Sequence, residues 1–151
     1  MGVDRTELKA ASAILAKAGI ADCDASMLSP LTLAYVGDCA FEMIIRTIVV
    51  GRAEHTVNTL HKHTCKYVNA ASQRRLLTIL AEQLTETEQS VVRRGRNAKS
   101  HSVAKHASLA DYHAATGFEA LCGYWYLTGQ EERMLTLLTE AIRTFDEESA
   151  Q

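Results

Sequence analysis

The chain has 151 residues, a net charge of −2 and 47% hydrophobic residues. This length allows one domain with a sizeable core, and the composition, with a single proline, excludes a largely disordered chain. The small negative charge excludes a protein that is basic over its whole surface, but it is compatible with a local basic patch. No apolar run is long enough to cross a bilayer and the first residues lack a signal-peptide pattern, so we expect no membrane partner.

Apolar residues recur at helical spacing along almost the whole chain, and no alternating β pattern of useful length occurs. Helix starts and ends are marked by cap residues, which are Gly19, Ser29 with Pro30, Thr85, Ser108 and Gly129. The predicted helices cover about residues 8–18, 30–50, 54–71, 74–84, 85–95, 108–127 and 131–145, and residues 97–107 are predicted as a loop. The prediction is an all-α helical bundle, a single domain over residues 1–151.

The four cysteines, Cys23, Cys39, Cys65 and Cys122, show no Cys-x-x-Cys spacing. Scattered cysteines without a metal or redox spacing are typical of reduced thiols in the cytoplasm. We therefore expect a cytoplasmic protein, in which two of these cysteines are buried as small apolar residues.

Two apolar helical stretches each carry one carboxylate that packing alone would not favour. Asp38 lies in LAYVGDCAFE (33–42) and Glu119 in ATGFEALCGYWYL (115–127), and small residues flank both acids. Small residues let helices cross closely, so both acids can meet at one seam. An ionised carboxylate in apolar surroundings is costly unless it is paired, hydrogen-bonded or bound to a cation, and Mg²⁺ prefers carboxylate oxygens. This pattern favours a metal site, although two helix caps or two partly exposed acids on unrelated helices remain an alternative.

A local excess of positive charge, without any acid, lies between residues 93 and 106. Its members are Arg93, Arg94, Arg96, Lys99, His101, Lys105 and His106. In an acidic protein such a cluster indicates a polyanion-binding segment, with a solvated helix end as the alternative. A weaker basic stripe, Lys62 and Lys66 with Arg74 and Arg75, is by itself typical of an ordinary exposed face.

Carboxylates beside small residues, together with basic segments, favour metal-assisted phosphodiester chemistry. The six histidines suggest no alternative catalyst, because none has an obvious serine or cysteine partner or a zinc-ligand spacing.

The two acidic stretches resemble the ribonuclease III family. YVGDCAFE (35–42) is similar to the signature helix of that family, and TGFEAL (116–121) with the following GYWYL is similar to its second acidic helix. The segments RRGRNA (93–98) and ATGFEAL (115–121) most specifically resemble the short bacterial Mini-ribonuclease III group, which lacks a double-stranded-RNA-binding domain. The resemblance extends over about residues 27–142.

This resemblance implies an all-α cytoplasmic homodimer that cleaves double-stranded RNA with Mg²⁺, for which Mn²⁺ can substitute, leaving 5′-phosphates and short 3′ overhangs. The implied substrate is the precursor of large-subunit (23S) ribosomal RNA, with a ribosomal protein as a further candidate partner. Asp38 and Glu119 match the catalytic, metal-binding acids of the family. The RNA-binding candidates are Lys62, Lys66, Arg93, Arg94, Arg96, Lys99 and Lys105. We expect the dimer seam along the signature helix, at Tyr35, Phe41 and Ile45.

The chain departs from typical ribonuclease III domains at two positions. Those domains carry an acid four residues before the first catalytic acid and another three residues before the second, where this chain has Ala34 and Thr116. Only Asp38 and Glu119 are therefore expected as ligands, and the number of Mg²⁺ ions per site stays open. Glu42 and Asp111 are candidate supporting acids that act through water, or else structural residues in a salt bridge and at a helix start.

Two other classes of function stay open on the residues alone. One is a non-catalytic RNA-binding or ribosome-associated module with a ribonuclease III-like fold, against which the retention of both Asp38 and Glu119 counts. The other is a helical phosphohydrolase of small nucleotides, for which His113 near Asp111 is the only support.

Overall fold

The computed structural model describes residues 9–52, 56–98 and 108–151, which form α-helices and short turns without any strand. The helices are α1 (Ala10–Lys17), α2 (Pro30–Gly51), α3 (Val57–Val68), α4 (Ala70–Leu80), α5 (Glu86–Asn97), α6 (Leu109–Leu127) and α7 (Glu131–Ser149), with 3₁₀ turns at Ala25–Met27 and Ala81–Gln83. The predicted all-α fold is confirmed. No helix within the described ranges combines the length and the apolar character that a membrane span requires.

Most helix boundaries follow the cap residues of the sequence. The hydroxyls of Ser29 and Ser108 accept backbone N–H groups of α2 and α6, and Thr85 forms a capping box with Glu88. Gly19 and Gly129 have φ of 72° after α1 and α6.

The predicted continuous helix 54–71 is wrong. The Asn69 side chain accepts the Ser72 N–H at 2.9 Å and donates to the Cys65 carbonyl at 2.9 Å. It therefore ends α3 and caps α4 at the same point. The last helix also extends beyond the predicted Phe145, to Ser149.

Helix α6 is the centre of the fold and packs against α1, α2, α4, α5 and α7. Because it has neighbours on several sides, it is apolar around most of its circumference. Phe118, Leu121 and Trp125 are fully buried, and the Phe118 ring meets that of Phe41 edge to face, with centroids 4.8 Å apart.

A buried ion pair holds α5, α6 and α7 together. Glu88 is 2% exposed and accepts two hydrogen bonds of 2.7 Å from the Arg133 guanidinium, while the Trp125 indole also donates to it. Burial alone would raise the pKa of Glu88, but the donors Arg133, Thr85 N–H and Trp125 outweigh it and lower the pKa to about 2. The sequence predicted only the capping role of this segment.

Two predictions about burial are wrong. Only Cys122 is buried, whereas Cys23, Cys39 and Cys65 are exposed, so one cysteine rather than two fills the core. Phe41 and Ile45 are 0% exposed and belong to the protomer core, so neither can form the predicted dimer seam. Tyr35, the third residue of that prediction, is 82% exposed.

Candidate active site

Helices α2 and α6 cross with their backbones in direct contact, and two glycines make this possible. A Cβ atom on Gly37 would overlap the backbone oxygen of Glu119, and one on Gly123 would overlap the backbone oxygen of Leu33. Neither position can therefore carry a side chain without separating the helices. Asp38 follows Gly37 on α2, and Glu119 lies one turn before Gly123 on α6. The expectation that small residues bring two acid-bearing helices together agrees with this geometry.

The two acids interact electrostatically across the crossing. Burial and then the charge of Asp38 raise the pKa of Glu119 to about 7, and a hydrogen bond from Gln73 partly opposes both. Asp38 lies at the exposed rim, where partial burial and then the charge of Glu42 raise its pKa. Burial first, and the charge of Asp38 second, thus keep Glu119 protonated to a higher pH than an exposed glutamate.

The inner wall beside Glu119 is formed by an amide and a thiol. Gln73, on α4, is 2% exposed, and its amide lowers the pKa of the Glu119 carboxyl. Cys122 follows Glu119 by one helical turn, and burial, with the charge of Glu119 as a second cause, raises the pKa of its thiol well above the usual value. The thiol is therefore neutral and contributes no thiolate ligand.

The donor atoms at the crossing suit a hard divalent cation. Asp38 and Glu119 supply carboxylate oxygens, and burial and then a neighbouring acid raise the pKa of each, so both would be favoured in the ionised form by a bound cation. Mg²⁺ usually keeps several waters while binding one or two carboxylates. Within the described ranges, no group of three or more His, Cys, Asp or Glu side chains is arranged to hold a metal. A cation here would rest on the two carboxylates and water.

The two candidate supporting acids have structural partners. Glu42 pairs with Arg46 one turn later on α2 at 3.6 Å, and Asp111 accepts a hydrogen bond of 3.0 Å from Arg74 of α4. Asp111 also lies in the first turn of α6, where a negative charge is favourable. These contacts match the structural alternative for both acids, although the charge of Glu42 still reaches Asp38.

The basic residues of α5 are exposed but point to two sides of the helix. Arg93 and Arg96 line an open groove between α4 and α5, whereas Arg94 lines a different groove beside Tyr124. Lys99 and Lys105, with His101 and His106, lie outside the described residues. The predicted cluster is therefore not one continuous face along α5.

The weaker basic stripe is also divided. Lys62 and Lys66 are exposed on α3. Arg74 pairs with Asp111, and Arg75 turns to α7, where it lies 4.2 Å from the centroid of the Phe145 ring and 3.1 Å from Glu148. Only Lys62 and Lys66 remain as candidates for RNA contact on this side.

Gln73 is the site residue that the sequence interpretation missed. It shares one face of α4 with Leu76, Leu77 and Leu80, all of which are buried. The sequence did contain a signal for this residue, which is a polar amide at the start of an apolar stripe. A buried glutamine needs a hydrogen-bond partner, so such a position indicates a polar neighbour in the core.

Comparisons with known proteins agree with the fold and show the family. Residues 31–130 match the family model of the ribonuclease III domain. The chain is 52% identical over 114 residues to the Mini-ribonuclease 3 of Symbiobacterium thermophilum, covering 76% of this chain and 88% of that relative. It is 43% identical over 120 residues to the Mini-ribonuclease 3 of a Thermoanaerobacter species, covering 80% and 84%. A crystal structure of a Fusobacterium nucleatum protein superposes with a TM-score of 0.71 at 27% identity, covering 78% of this chain and 94% of that one.

Proposed function

Because the chain belongs to the ribonuclease III family, among its Mini-ribonuclease 3 members, and is an endoribonuclease, we propose that it cleaves double-stranded RNA at the Asp38 and Glu119 pair with Mg²⁺ as cofactor and Mn²⁺ as a substitute. The observation that carries this proposal is the α2–α6 crossing, where the charge of Asp38 acts on a half-buried Glu119. Ribonuclease III domains generally depend on a divalent metal ion, and such a cation would compensate the negative charge of this pair.

The chemistry divides between the cation and the side chains that hold it. A bound divalent cation lowers the pKa of its water ligands and neutralises charge on the scissile phosphate. Glu119 would supply a ligand from the more buried side of the crossing, and Asp38 would supply one from the exposed rim, where a polymeric substrate has access. Hydrolysis of the phosphodiester bond leaves a 5′-phosphate and a free 3′-hydroxyl.

The RNA is held mainly through its phosphates. Arg93, Arg94 and Arg96 on α5 and Lys62 and Lys66 on α3 are exposed cations, and cations of this kind position a duplex without reading its sequence. A-form RNA presents phosphates and 2′-hydroxyls across a wide minor groove, so recognition by shape is expected.

The working unit that we propose is a homodimer formed along α2. Leu31, Tyr35 and Met43 are 40%, 82% and 68% exposed, with Cys39 between them on the same helical face. Apolar side chains in such a line favour burial against a second copy. A symmetric pair of protomers would supply two active sites for the two strands of a duplex, which accounts for staggered cuts with short 3′ overhangs.

The substrate that we propose is the precursor of large-subunit (23S) ribosomal RNA, in the cytoplasm, with a ribosomal protein as a candidate assistant. The relatives' name and domain support an endoribonuclease of double-stranded RNA, and this argues against a non-catalytic binding module.

A cleavage assay tests the proposal. Duplex RNA is expected to be cut in the presence of Mg²⁺ and not in EDTA, and duplex DNA is expected to stay intact. Asp38→Asn and Glu119→Gln should each abolish cleavage while the fold persists, because losing a metal ligand costs several kcal/mol of transition-state stabilisation. Glu42→Gln and Asp111→Asn are the matched acidic controls and should retain activity. More than about a tenth of the wild-type rate in either site variant would contradict the assignment, since a tenfold loss corresponds to only about 1.4 kcal/mol.

A further inference from the structure

An open groove between α4 and α5 has the size and the lining of a small-ligand site. Its volume is about 710 Å³, within the range of such sites. Leu77, Leu84 and Val92 line the groove and are buried, so its floor is apolar. Arg93 and Arg96 are exposed along the same groove, three residues apart on one side of α5. The groove thus combines an apolar floor with two cations at its rim.

The polar groups at this rim are not engaged by other described residues. Within residues 9–52, 56–98 and 108–151, neither Arg93 nor Arg96 forms an ion pair, and no acid lines the groove. The Asn97 side chain, at the same rim, makes no hydrogen bond to another residue of these ranges. Guanidinium groups bind phosphate through directed N–H donors, and an asparagine amide offers both a donor and an acceptor. The rim therefore complements an anionic ligand that also carries hydrogen-bonding groups.

A regular RNA duplex does not match this lining. It presents phosphates and 2′-hydroxyls and keeps the faces of its bases stacked inside, so nothing apolar would cover the groove floor. An unpaired nucleotide exposes the face of its base together with its phosphate. The base can cover the apolar floor, the phosphate can pair with Arg93 or Arg96, and the Asn97 amide can bond to a base edge. An acidic protein segment would match the charges too, but RNA is the ligand class of the family to which the chain belongs.

The groove also lies close to the helix that carries Glu119. The Cγ atom of Arg96 lies 3.1 Å from the point where a Cβ atom on Gly117 would stand. Gly117 precedes Glu119 by two residues on α6, which corresponds to ~3 Å along the helix axis. The groove and the candidate active site are therefore nearly level along α6, and one RNA molecule can reach both.

We propose that this groove binds an unpaired nucleotide of the RNA substrate, with its base on the apolar floor and its phosphate on Arg93 or Arg96. This inference rests on the proposed function and narrows its substrate class. Among double-stranded RNAs, those with a bulged or looped-out nucleotide near the cleavage position bind more tightly than perfect duplexes.

The test measures binding of three RNA duplexes in EDTA, where no cleavage is expected. One is perfectly paired, one carries a single unpaired 2-aminopurine nucleotide, and one carries an unpaired abasic nucleotide at the same position. The wild type should bind the 2-aminopurine duplex about tenfold more tightly than either of the others, because only this duplex offers a base to the groove. The fluorescence of 2-aminopurine should rise on binding, since the base leaves the stack of its neighbours.

A double variant that fills the groove separates this site from general RNA binding. Thr78 and Ala81 line the groove from exposed positions, so Thr78→Leu with Ala81→Leu should fill it without disturbing the core. This variant should bind all three duplexes with the affinity that the wild type has for the perfect duplex. The matched control is Thr139→Leu with Ala16→Leu, at exposed positions on α7 and α1, and it should behave as the wild type does.

The outcomes distinguish this inference from the proposed function. Equal affinity of the wild type for the three duplexes, with cleavage retained in Mg²⁺, would overturn the inference alone and leave an acidic protein segment as the other occupant. A preference that persists in the groove-filling variant would also overturn it, because the base would then bind elsewhere. A wild-type protein that binds none of the duplexes and cuts no RNA would overturn both.

Discussion

Replacing Glu119 with glutamine should stabilise the protein in the absence of a cation. The wild-type carboxyl has a pKa of about 7 in the folded state against an ordinary value of 4.5. The difference of about 2.5 units corresponds to about 3 kcal/mol of destabilisation once the group is ionised, an upper bound because Glu119 is partly exposed to solvent. Glutamine keeps the shape and carries no charge. For a chain of this size, 3 kcal/mol corresponds to a rise in Tm of about 6–12 °C.

The size of this stabilisation depends on pH. The folded wild type binds the Glu119 proton more tightly than the unfolded chain does, so the wild type loses stability as the pH rises from about 4.5 to about 7. The gain of Glu119→Gln should therefore be absent below pH 4.5, grow through this range and be complete above pH 7. Added Mg²⁺ should reduce the difference in stability between Glu119→Gln and the wild type at pH 8, because only the wild type binds the cation. The reduction should be about 2.7 kcal/mol at a Mg²⁺ concentration of a hundred times the Kd.

The assay is thermal unfolding at several pH values, in EDTA and in Mg²⁺. The control is Glu140→Gln, which removes a carboxylate from the exposed face of α7 and should show no such pH-dependent gain. Equal Tm values for wild type and Glu119→Gln at pH 8 in EDTA would refute the reasoning. So would a gap of the same size at pH 4 and pH 8, because it would come from packing rather than from the charge.

Three further predictions concern other parts of the molecule. Changing Arg93, Arg94 and Arg96 together to alanine should weaken the binding of duplex RNA, and cleavage should be restored at saturating RNA. In a plot of log affinity against log salt concentration, the magnitude of the slope should fall by roughly 0.7–0.9 for each phosphate that is no longer neutralised. An unchanged slope would exclude these arginines from the interface. Glu88→Gln should lower the free energy of unfolding by about 3 kcal/mol above pH 4.5, because the pKa of this carboxyl is lowered to about 2 in the folded protein. This loss of stability should become smaller as the pH falls from 4.5 towards 2. A loss that is constant over this range would exclude the charge as its cause. Tyr35→Asp should shift the sedimentation coefficient towards that of the monomer and lower the cleavage rate. The stability of the protomer should fall by no more than about 0.5 kcal/mol, because Tyr35 is exposed. An unchanged oligomer would exclude this face of α2 as the dimer seam.

The helices and the crossing at the site could be predicted because their signals are local. Ser29, Thr85 and Ser108 cap helices through atoms a few residues away, and small residues beside Asp38 and Glu119 indicate a close approach whatever the partner helix is.

The outward face of α2 could not be predicted from its sequence. Phe41, Ile45 and Val49 form one apolar line at a spacing of four residues, and Tyr35 and Met43 lie on another. Both lines have helical periodicity, so periodicity alone does not say which line is buried. The first packs against the core, where Phe41 meets Phe118, and the second is exposed.

The effect of Gln73 on the pKa of Glu119 could not be predicted either, because the two residues are distant along the chain. The Gln73 amide comes close to Glu119 only after α3 ends at Asn69 and α4 turns back onto α6, and no local pattern encodes that turn and that docking together.

Helix α6 contacts the backbones of two other helices at Gly117 and Gly123, which lie on either side of Glu119. A Cβ atom on Gly117 would meet the Val92 backbone oxygen of α5 at 2.8 Å, and Gly123 meets the Leu33 backbone of α2. Rotating or sliding α6 by one residue would move both glycines out of these contacts and place larger side chains against main-chain atoms. These main-chain contacts restrict the sliding and rotation of α6, and they therefore help to fix the separation of the two acids. A designer can exchange core residues of similar volume around this helix and leave the spacing of the two carboxylates unaltered.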